Sequence, residues 1–196
     1  MSVTTAERRY TPEEYLALER AAETKSEYFD GRILPMGRVT YEHIVITGNV
    51  GLALHTQLKG TEYRVYISQM RTKVGDTGLY TYPDVVAARE DRRFEDSDND
   101  VLLNPSLIVE VLVPHSEAWD RGEKFAQYRK LESLTDYVLV ASESLRVEHY
   151  ARQGEQWLLT ALDSLEGALH LPSLGCRVAL RDIYDDTPFA QDAGSV

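Results

Sequence analysis

The chain has 196 residues, of which 43% are hydrophobic and 27% are charged, and its formal net charge is −11. This length is enough for one domain with a full core, and the composition is typical of globular proteins. No apolar run approaches the roughly 20 residues that a membrane helix needs. The acidic excess disfavours a protein that coats nucleic acid through bulk electrostatics, but it is compatible with a divalent-cation site.

The cysteine content and the N-terminal composition point to a reducing compartment. A single cysteine, Cys176, excludes an internal disulfide and a cysteine-based zinc site. Residues 1–10 contain no apolar segment of the kind that a secretory signal carries. We therefore expect a cytoplasmic protein with no membrane partner.

The first predicted elements have strong local start and turn signals. Thr11 and Glu14 form a capping box, and Pro12 fits the first turn of a helix. Asp30-Gly31 predicts a hairpin turn. Next we expect a helix over about 41–58 and strands near 64–69, 72–74 and 82–88.

A polar segment over residues 89–100 predicts an exposed, mobile loop. It is acidic, but it lacks the glycine and the terminal glutamate of an EF-hand loop. A strand is expected at 106–113, and Asp120-Arg121-Gly122-Glu123 predicts a capping box that starts a helix through Leu131. The closing segments, of which the last three are expected to be antiparallel, are 137–141, 145–151, 156–162 and 177–183. The sum predicts an α/β or α+β fold with a central mixed sheet flanked by helices.

Two carboxylates lie within the most apolar part of the sequence. Asp84 follows Pro83 at a predicted strand start, and Glu110 is in the middle of the apolar run 107–112. A buried carboxylate costs free energy unless it is paired, hydrogen-bonded or bound to a metal. On neighbouring strands the two would bind one Mg²⁺, which prefers oxygen ligands. Spacing alone leaves open the alternative that each carboxylate pairs with an arginine or accepts from a backbone N–H.

One lysine on the predicted third helix is a candidate partner for these carboxylates. Asp120, Lys124 and Tyr128 follow at four-residue intervals, so they share one helical stripe. Lys124 lies at the core-facing edge and would reach toward Glu110. The spacing by itself favours the simpler interpretation, a surface lysine paired with Asp120.

Two further polar residues carry weaker signals. Glu27 lies near a strand start and His43 lies in the first turn of the second helix, and taken alone each position favours a structural or surface role over a functional one. His43 has no second histidine or cysteine at zinc-ligand spacing. The sequence has no glycine-rich phosphate loop and no Gly-x-Ser-x-Gly nucleophile motif.

In their order along the chain, these residues resemble the PD-(D/E)XK nuclease signature. Pro83-Asp84 and Glu110 match its acidic positions, but Leu112 stands where that signature has lysine. A closer resemblance, to the Uma-two family of bacterial endonucleases, covers about residues 10–185. The segments that carry it are Tyr10-Thr-x-Glu-Glu-Tyr15, Glu27-x-x-Asp-Gly31, His43, residues 104–114, Asp120-Arg-Gly-Glu-Lys124-Phe-x-x-Tyr128 and residues 136–140.

The resemblance implies a restriction-endonuclease-like fold, a central mixed β-sheet flanked by helices, with an antiparallel hairpin region near the C-terminus. We expect a single nuclease-like domain over residues 1–196, with an ordered core at about 10–185. The implied activity is magnesium-dependent hydrolysis of phosphodiester bonds, and DNA is the expected substrate. Because cutting both strands needs two active sites, we expect a homodimer.

The resemblance also implies a set of site residues. The implied catalytic set is acidic apart from one lysine, and it consists of Glu27, Asp84, Glu110 and Lys124. Asp84 and Glu110 would hold Mg²⁺ or Mn²⁺, Glu27 would support a second metal or a water, and Lys124 would supply the displaced ammonium. His43 and Tyr128 are expected to line the site.

Two other hypotheses remain beside the endonuclease. The first is a catalytically inactive nuclease-like module that binds nucleic acid or a protein, which Leu112 and the net charge of −11 favour. The second is a structural homodimer whose carboxylates are merely paired. A separation of more than about 10 Å between Lys124 and the carboxylates would favour the structural homodimer, because groups of one two-metal site lie much closer than that.

Overall fold

Thirteen strands and five helices make up the part of the chain that the structure, a computed structural model, describes, namely residues 8–75 and 78–190. The helices are α1 (Pro12–Ala21), α2 (Tyr41–Leu58), α3 (Glu117–Trp119), α4 (Phe125–Tyr128) and α5 (Leu180–Ile183), and a π-helical turn, Asp120–Lys124, joins α3 to α4. The strands are β1 (Ser26–Phe29), β2 (Arg32–Pro35), β3 (Tyr63–Ile67), β4 (Arg71–Val74), β5 (Leu79–Thr81), β6 (Val85–Arg89), β7 (Val101–Leu102), β8 (Leu107–Leu112), β9 (Asp136–Ala141), β10 (Val147–Gln153), β11 (Gln156–Leu162), β12 (Ala168–Leu171) and β13 (Cys176–Ala179). Within the same residues, no helix is both long and apolar enough to cross a bilayer.

A six-stranded mixed sheet carries the strand that contains Glu110. Its strand order is β11-β10-β9-β8-β6-β3, and β8 and β9 are its parallel pair. All six residues of β8 are buried. Since side chains alternate along a strand, Leu107, Val109 and Val111 pack with α2 and the C-terminal elements, whereas Ile108 and Leu112 pack against Tyr128 and its neighbours.

A second sheet has five strands in the order β2-β1-β5-β4-β7. Helix α1 packs on it through an aromatic cluster in which Tyr15 and Tyr28 stack at 5.1 Å and Tyr80 lies against both. Aromatic pairs of this kind add about 0.5–1.5 kcal/mol each beyond their buried area. This sheet places β1, which contains Glu27, opposite the helical segment that follows β8.

Several local predictions are confirmed by the structure. Thr11 and Glu14 make both hydrogen bonds of the capping box, and α2 spans Tyr41–Leu58 as expected. The hairpin β1–β2 turns at Asp30 and Gly31, which have φ values of 48° and 78°. Both values lie in the left-handed region that a two-residue hairpin of this type requires. The mixed sheets, the flanking helices and the C-terminal antiparallel hairpin agree with the predicted fold class.

Two predictions of local structure are wrong. Asp120 does not start a helix, because the helical segment begins at Glu117 and Asp120 lies inside the π-helical turn, where its carboxylate accepts from the Ser116 hydroxyl. Residues 177–183 do not extend the β10–β11 pair. Instead β13 forms a separate hairpin with β12, and α5 follows it. A short apolar run such as residues 177–183 is compatible with a strand and with a helix, so the sequence pattern alone could not distinguish them.

The acidic loop over residues 89–100 is tied to the first helix. Arg20 of α1 forms ion pairs with Asp96 at 2.8 Å, with Asp98 at 3.0 Å and with Asp100 at 2.8 Å. A guanidinium offers five donors in a fixed fork, so it can bind several carboxylates at once. The sequence predicted the exposure of this loop but not its anchor.

Tyr184 joins the C-terminal helix to the turn between β9 and β10. Its hydroxyl accepts from the Arg146 N–H at 3.0 Å and lies 2.8 Å from the Arg146 carbonyl oxygen. We expect Tyr184→Phe to lower the free energy of unfolding by about 0.5–1.5 kcal/mol, because the Arg146 N–H loses its hydrogen-bond partner. Urea denaturation measures this, and Tyr41→Phe, at an exposed tyrosine, is the matched control. Equal stability of the two variants would contradict the assigned role.

Candidate active site

Three carboxylates converge on the ammonium of one buried lysine. Lys124 Nζ lies 2.9 Å from Glu27 Oε1, 3.0 Å from Glu110 Oε1 and 3.2 Å from Asp120 Oδ1. The Lys124 side chain is only 6% exposed, so it is not the surface lysine that spacing alone favoured. A separation of more than about 10 Å between Lys124 and the carboxylates would have favoured the structural homodimer. The 3.0 Å distance to Glu110 is far shorter than that.

The lysine reaches this position because of the π-helical turn between β8 and β9. The turn supplies both Asp120 and Lys124, and the Tyr137 hydroxyl donates to the Asp120 carbonyl at 3.0 Å. Trp119, just before the turn, contacts Phe29 of β1 with ring centroids 5.6 Å apart. π-Helical turns occur mostly as single turns and frequently at functional sites. Here the turn is fixed on both sides, by β9 and by β1.

Strand pairing brings the two predicted metal carboxylates together. Strands β6 and β8 are antiparallel, with Val85 opposite Val109. One further residue along this register places Asp84 beside Glu110, and directly opposite residues have Cβ atoms about 4.5–5.5 Å apart. Asp84 and Glu110 both line the same cleft.

Asp84 is held in place by a backbone donor and a histidine. The Val111 N–H donates to Asp84 Oδ2 at 2.8 Å, and His43 Nε2 lies 3.2 Å from each carboxylate oxygen. Both contacts fix the orientation of the carboxylate. The Asp84 side chain retains 15% exposure, which opens into the cleft.

Both glutamates keep one oxygen without a partner. Thr81 donates to Glu27 Oε1, and the Tyr128 hydroxyl donates to Glu110 Oε1 at 2.8 Å, the same two oxygens that face Lys124. In residues 8–75 and 78–190, no hydrogen bond or ion pair uses Oε2 of either residue, and both side chains line the cleft. These two oxygens are available to a ligand.

The electrostatics of the cluster favour an added cation. Burial, then repulsion by Asp120, Asp84 and Glu27, raise the pKa of Glu110 well above its ordinary value, against the opposing effect of Lys124. Burial likewise raises the pKa of Asp120. Burial disfavours the Lys124 ammonium, but Glu110 and the other acidic neighbours outweigh it, so the pKa of Lys124 is also raised. One ammonium thus faces three carboxyl groups that it cannot neutralise alone, and Asp84 adds a further negative charge near Glu110.

The donor set fits a metal that keeps part of its water. Within the described residues, no group of three or more His, Cys, Asp or Glu side chains forms a ready-made metal cage. Zinc and calcium sites usually need such a cage, whereas Mg²⁺ is commonly bound by one or two carboxylates together with water and substrate phosphate. Asp84 and Glu110 provide that smaller set on one face of the sheet.

Comparisons with known proteins identify the family of this chain. A sequence model of the Uma2 family, described as "putative restriction endonuclease", matches residues 12–181. The chain belongs to the Uma2 family. Two uncharacterised Synechocystis proteins are similar to it: sll1609 is 36% identical over 83% of this chain and 92% of that protein, and slr1290 is 34% identical over 92% and 94%.

A solved structure shares the fold of this Uma2 protein. The crystal structure of a putative nuclease belonging to DUF820, from Anabaena variabilis, superposes with a TM-score of 0.73 at 20% sequence identity. The match covers 89% of this chain and 97% of the other. At this identity the likeness establishes the shared fold and nothing finer.

The position of the signature lysine is part of the core in this Uma2 chain. Leu112 is 3% exposed and packs with Ile108, Tyr128 and Leu131. It lies on the same face of β8 as Glu110, two residues along the strand. The ammonium at Glu110 therefore comes from Lys124 on the following helical segment.

The two residues predicted to line the site, His43 and Tyr128, differ in their access to the cleft. His43 lines the cleft, whereas Tyr128 is fully buried and lies behind Glu110, outside the cleft lining. Sequence reasoning missed Thr81, which donates to Glu27. Thr81 ends a three-residue strand that was not predicted, and a threonine in a strand carries no signal of its own.

The raised pKa of Glu110 predicts a pH-dependent gain in stability when this carboxyl is removed. The folded state binds the Glu110 proton more tightly than the unfolded state does, because the pKa of Glu110 is higher in the folded state. The protonated carboxyl therefore adds to stability at any pH below its unfolded-state pKa, and this contribution is lost as the pH rises through the folded-state pKa. We expect Glu110→Gln to be more stable than wild type at pH 8, with a smaller difference at pH 5. Urea denaturation at several pH values measures this. A difference that does not change with pH would contradict the shift.

Proposed function

We propose that this chain is a magnesium-dependent DNA endonuclease that hydrolyses phosphodiester bonds in the cleft between β1, β8 and the π-helical turn. The observation that carries the proposal is the Lys124 ammonium, which lies 3.0 Å from Glu110 although the signature lysine position is a buried leucine. An acidic pair with an adjacent ammonium is the arrangement that phosphodiester hydrolysis requires, since charge develops on phosphate oxygens and on the leaving oxygen.

Each residue of the cleft has a part in this proposal. Asp84 and Glu110 would hold Mg²⁺ or Mn²⁺, which when bound lowers the pKa of a water and neutralises phosphate charge. Lys124 places its positive charge beside Glu110, where it stabilises a phosphate oxygen as negative charge develops. Glu27 Oε2 is free to accept a hydrogen bond from the attacking water, and His43 keeps Asp84 oriented.

Charge explains why an acidic protein needs the cation to bind DNA. The chain carries a net charge of −11, and the cleft is lined by four carboxyl groups against the cations Lys124 and Arg38. A phosphate brought to this cleft without a metal would meet net repulsion, whereas a bound divalent ion offsets two of the negative charges. The proposal therefore requires that nucleic-acid affinity depends on the divalent cation.

Nuclease assays with purified protein test the proposal. Plasmid DNA, linear duplex DNA and RNA are incubated with Mg²⁺, with Mn²⁺ or with EDTA, and we expect DNA cleavage that EDTA abolishes. Glu110→Ala should remove the activity while far-ultraviolet circular dichroism stays unchanged. Equal cleavage by wild type and Glu110→Ala would indicate a contaminating nuclease and would refute the proposal.

A second candidate function is a non-catalytic nucleic-acid-binding or protein-binding module. The observation that favours it is that Lys124 already pairs with Glu27, Glu110 and Asp120 without any metal. Calorimetry with Mn²⁺ separates the two functions. Metal binding that disappears in Asp84→Ala supports the nuclease, and a protein that binds no metal supports the module.

A further inference from the structure

A second pocket opens beside the cleft and shares a wall with it. The shared wall consists of Met36, Val39, His43, Tyr82 and Asp84. The pocket has a volume of about 350 Å³, within the range of small-molecule sites. Because Asp84 belongs to both cavities, a substrate held at Asp84 would reach both.

Exposed apolar side chains form the sides of this pocket. Met36, Val39, Ile44 and Ile67 are 42%, 45%, 59% and 41% exposed. Large apolar residues on a surface are common singly, but a group around one cavity indicates a binding site. Gly48 of α2 completes the wall, and a Cβ at this position would meet no atom within 4 Å.

Two polar groups lie in the same pocket. The Thr47 hydroxyl is buried, and among the described residues it has no hydrogen-bond partner. Lys25 Nζ donates to the Ser68 carbonyl oxygen and lies 5.0 Å from the centre of the Tyr82 ring. An ammonium has three donors, so two remain for a ligand.

The floor of the pocket is fixed by the residue that follows β3. Ser68 has a φ of 55°, in the left-handed region that side chains rarely adopt. Its N–H donates to the Asp84 carbonyl at 2.8 Å, and its own carbonyl accepts from Lys25. A strained residue held by contacts on both sides is typical of a functional region. The same residue thus links the pocket to Asp84.

We propose that this pocket binds the nucleobase of the nucleotide next to the phosphate held at Asp84, with Lys25 and Thr47 contacting the base edge. The inference rests on the proposed nuclease function and adds a substrate class to it. A base has two apolar ring faces and a polar edge, which match the apolar walls and the two polar groups. In a nucleic acid each base is joined to the neighbouring phosphate, so a base pocket has to be continuous with the cleft that holds the phosphate.

The proposed base pocket has a consequence for the form of the substrate. A base can enter a side pocket only when it is unstacked, which costs a few kcal/mol in a duplex and little in a single strand. We therefore expect the protein to prefer single-stranded DNA, or duplex DNA with an opened position, over continuous duplex.

Filling the pocket from α2 tests the proposal. Gly48→Leu places a side chain in the open space, and Ala17→Leu, which adds a larger side chain at an exposed position of α1 outside both cavities, is the control. Binding of labelled single-stranded oligonucleotides is measured by fluorescence anisotropy with Ca²⁺ in place of Mg²⁺, and cleavage is measured separately with Mg²⁺. We expect Gly48→Leu to raise Kd and KM on the order of tenfold, as base contacts of this kind contribute, while Ala17→Leu and the Mn²⁺ affinity of Gly48→Leu stay near wild type.

An abasic oligonucleotide identifies what the pocket binds. Removing the base beside the cut phosphate should weaken binding to wild type and should abolish the difference between wild type and Gly48→Leu. Equal binding of intact DNA by both proteins, or an unchanged difference on abasic DNA, would overturn the proposal. A shift in oligomeric state of Gly48→Leu by light scattering would also overturn it, because the pocket would then face a second copy.

A second variant probes the polar edge and separates the two proposals. Thr47→Val removes a hydroxyl that lacks a partner, so we expect unchanged or higher thermal stability together with weaker oligonucleotide binding. Stability and binding that both stay at the wild-type level would count against a hydroxyl contact to the base. Binding that depends on the pocket without any cleavage by wild type would refute the nuclease and leave the base pocket in place.

Discussion

Asp84→Asn is expected to abolish metal binding and to lower the rate of DNA cleavage by on the order of 10³-fold. A bound divalent ion supplies several kcal/mol of stabilisation to the developing charge, and each 1.4 kcal/mol corresponds to a factor of ten. Asparagine keeps the shape of the side chain and an oxygen that can accept from the Val111 N–H, so the local structure should persist. Calorimetry with Mn²⁺ and single-turnover cleavage measure the two effects.

The control for this prediction is Asp163→Asn, which removes one negative charge at an exposed position outside the cleft lining. It should bind Mn²⁺ and cleave DNA as wild type does. If Asp84→Asn retained wild-type metal affinity, the assignment of Asp84 as a ligand would be wrong. If both variants lost activity, the cause would be the overall charge of the protein.

Lys124→Met is expected to lower both the cleavage rate and the stability. Loss of an aimed positive group at a reacting centre typically costs 10²–10³-fold in rate. The variant leaves Glu27, Glu110 and Asp120 without their shared cation, and breaking a buried ion pair in this way costs about 3–5 kcal/mol. Urea denaturation and single-turnover cleavage at pH 7.5 measure the two effects.

A double variant separates the two roles of this lysine. Lys124→Met combined with Glu110→Gln removes one unpaired carboxylate, so it should recover stability but not activity. Lys130→Met, at an exposed lysine in the turn after α4, should leave both properties unchanged. Full activity of Lys124→Met would show that the ammonium has no part in catalysis and would favour the non-catalytic module.

Local signals predicted the parts of the fold that depend on a few neighbouring residues. The capping box at Thr11 and the hairpin at Asp30-Gly31 are formed as predicted, because both depend on side chains within four positions of each other. The same kind of signal failed at Asp120, whose carboxylate is engaged by Ser116 and Lys124 rather than by the start of a helix. Tertiary contacts therefore determine the conformation at Asp120, and rules based on neighbouring residues do not include such contacts.

The sequence allowed us to predict which residues form the candidate site, but not the contacts between them. Asp84 and Glu110 attracted notice because a carboxylate in an apolar strand is costly, and the pairing of β6 with β8 brings both to one cleft. Spacing alone favoured a surface position for Lys124, since the π-helical turn that directs it inward has no sequence signature. The contact between Lys124 and Glu27 joins two segments far apart in the chain, so only the packed sheets reveal it.

The distribution of the site over the chain determines when it can be complete. Glu110, Asp120 and Lys124 belong to one parallel unit that runs from β8 through the π-helical turn to β9, and units of this kind often form cooperatively. Glu27 and Asp84 come from segments made earlier, where Thr81 and His43 contact them, but they meet Lys124 and Glu110 only when that later unit has been synthesised and has docked on β1 and β6. The proposed cutting centre is therefore absent from any chain that ends before β9.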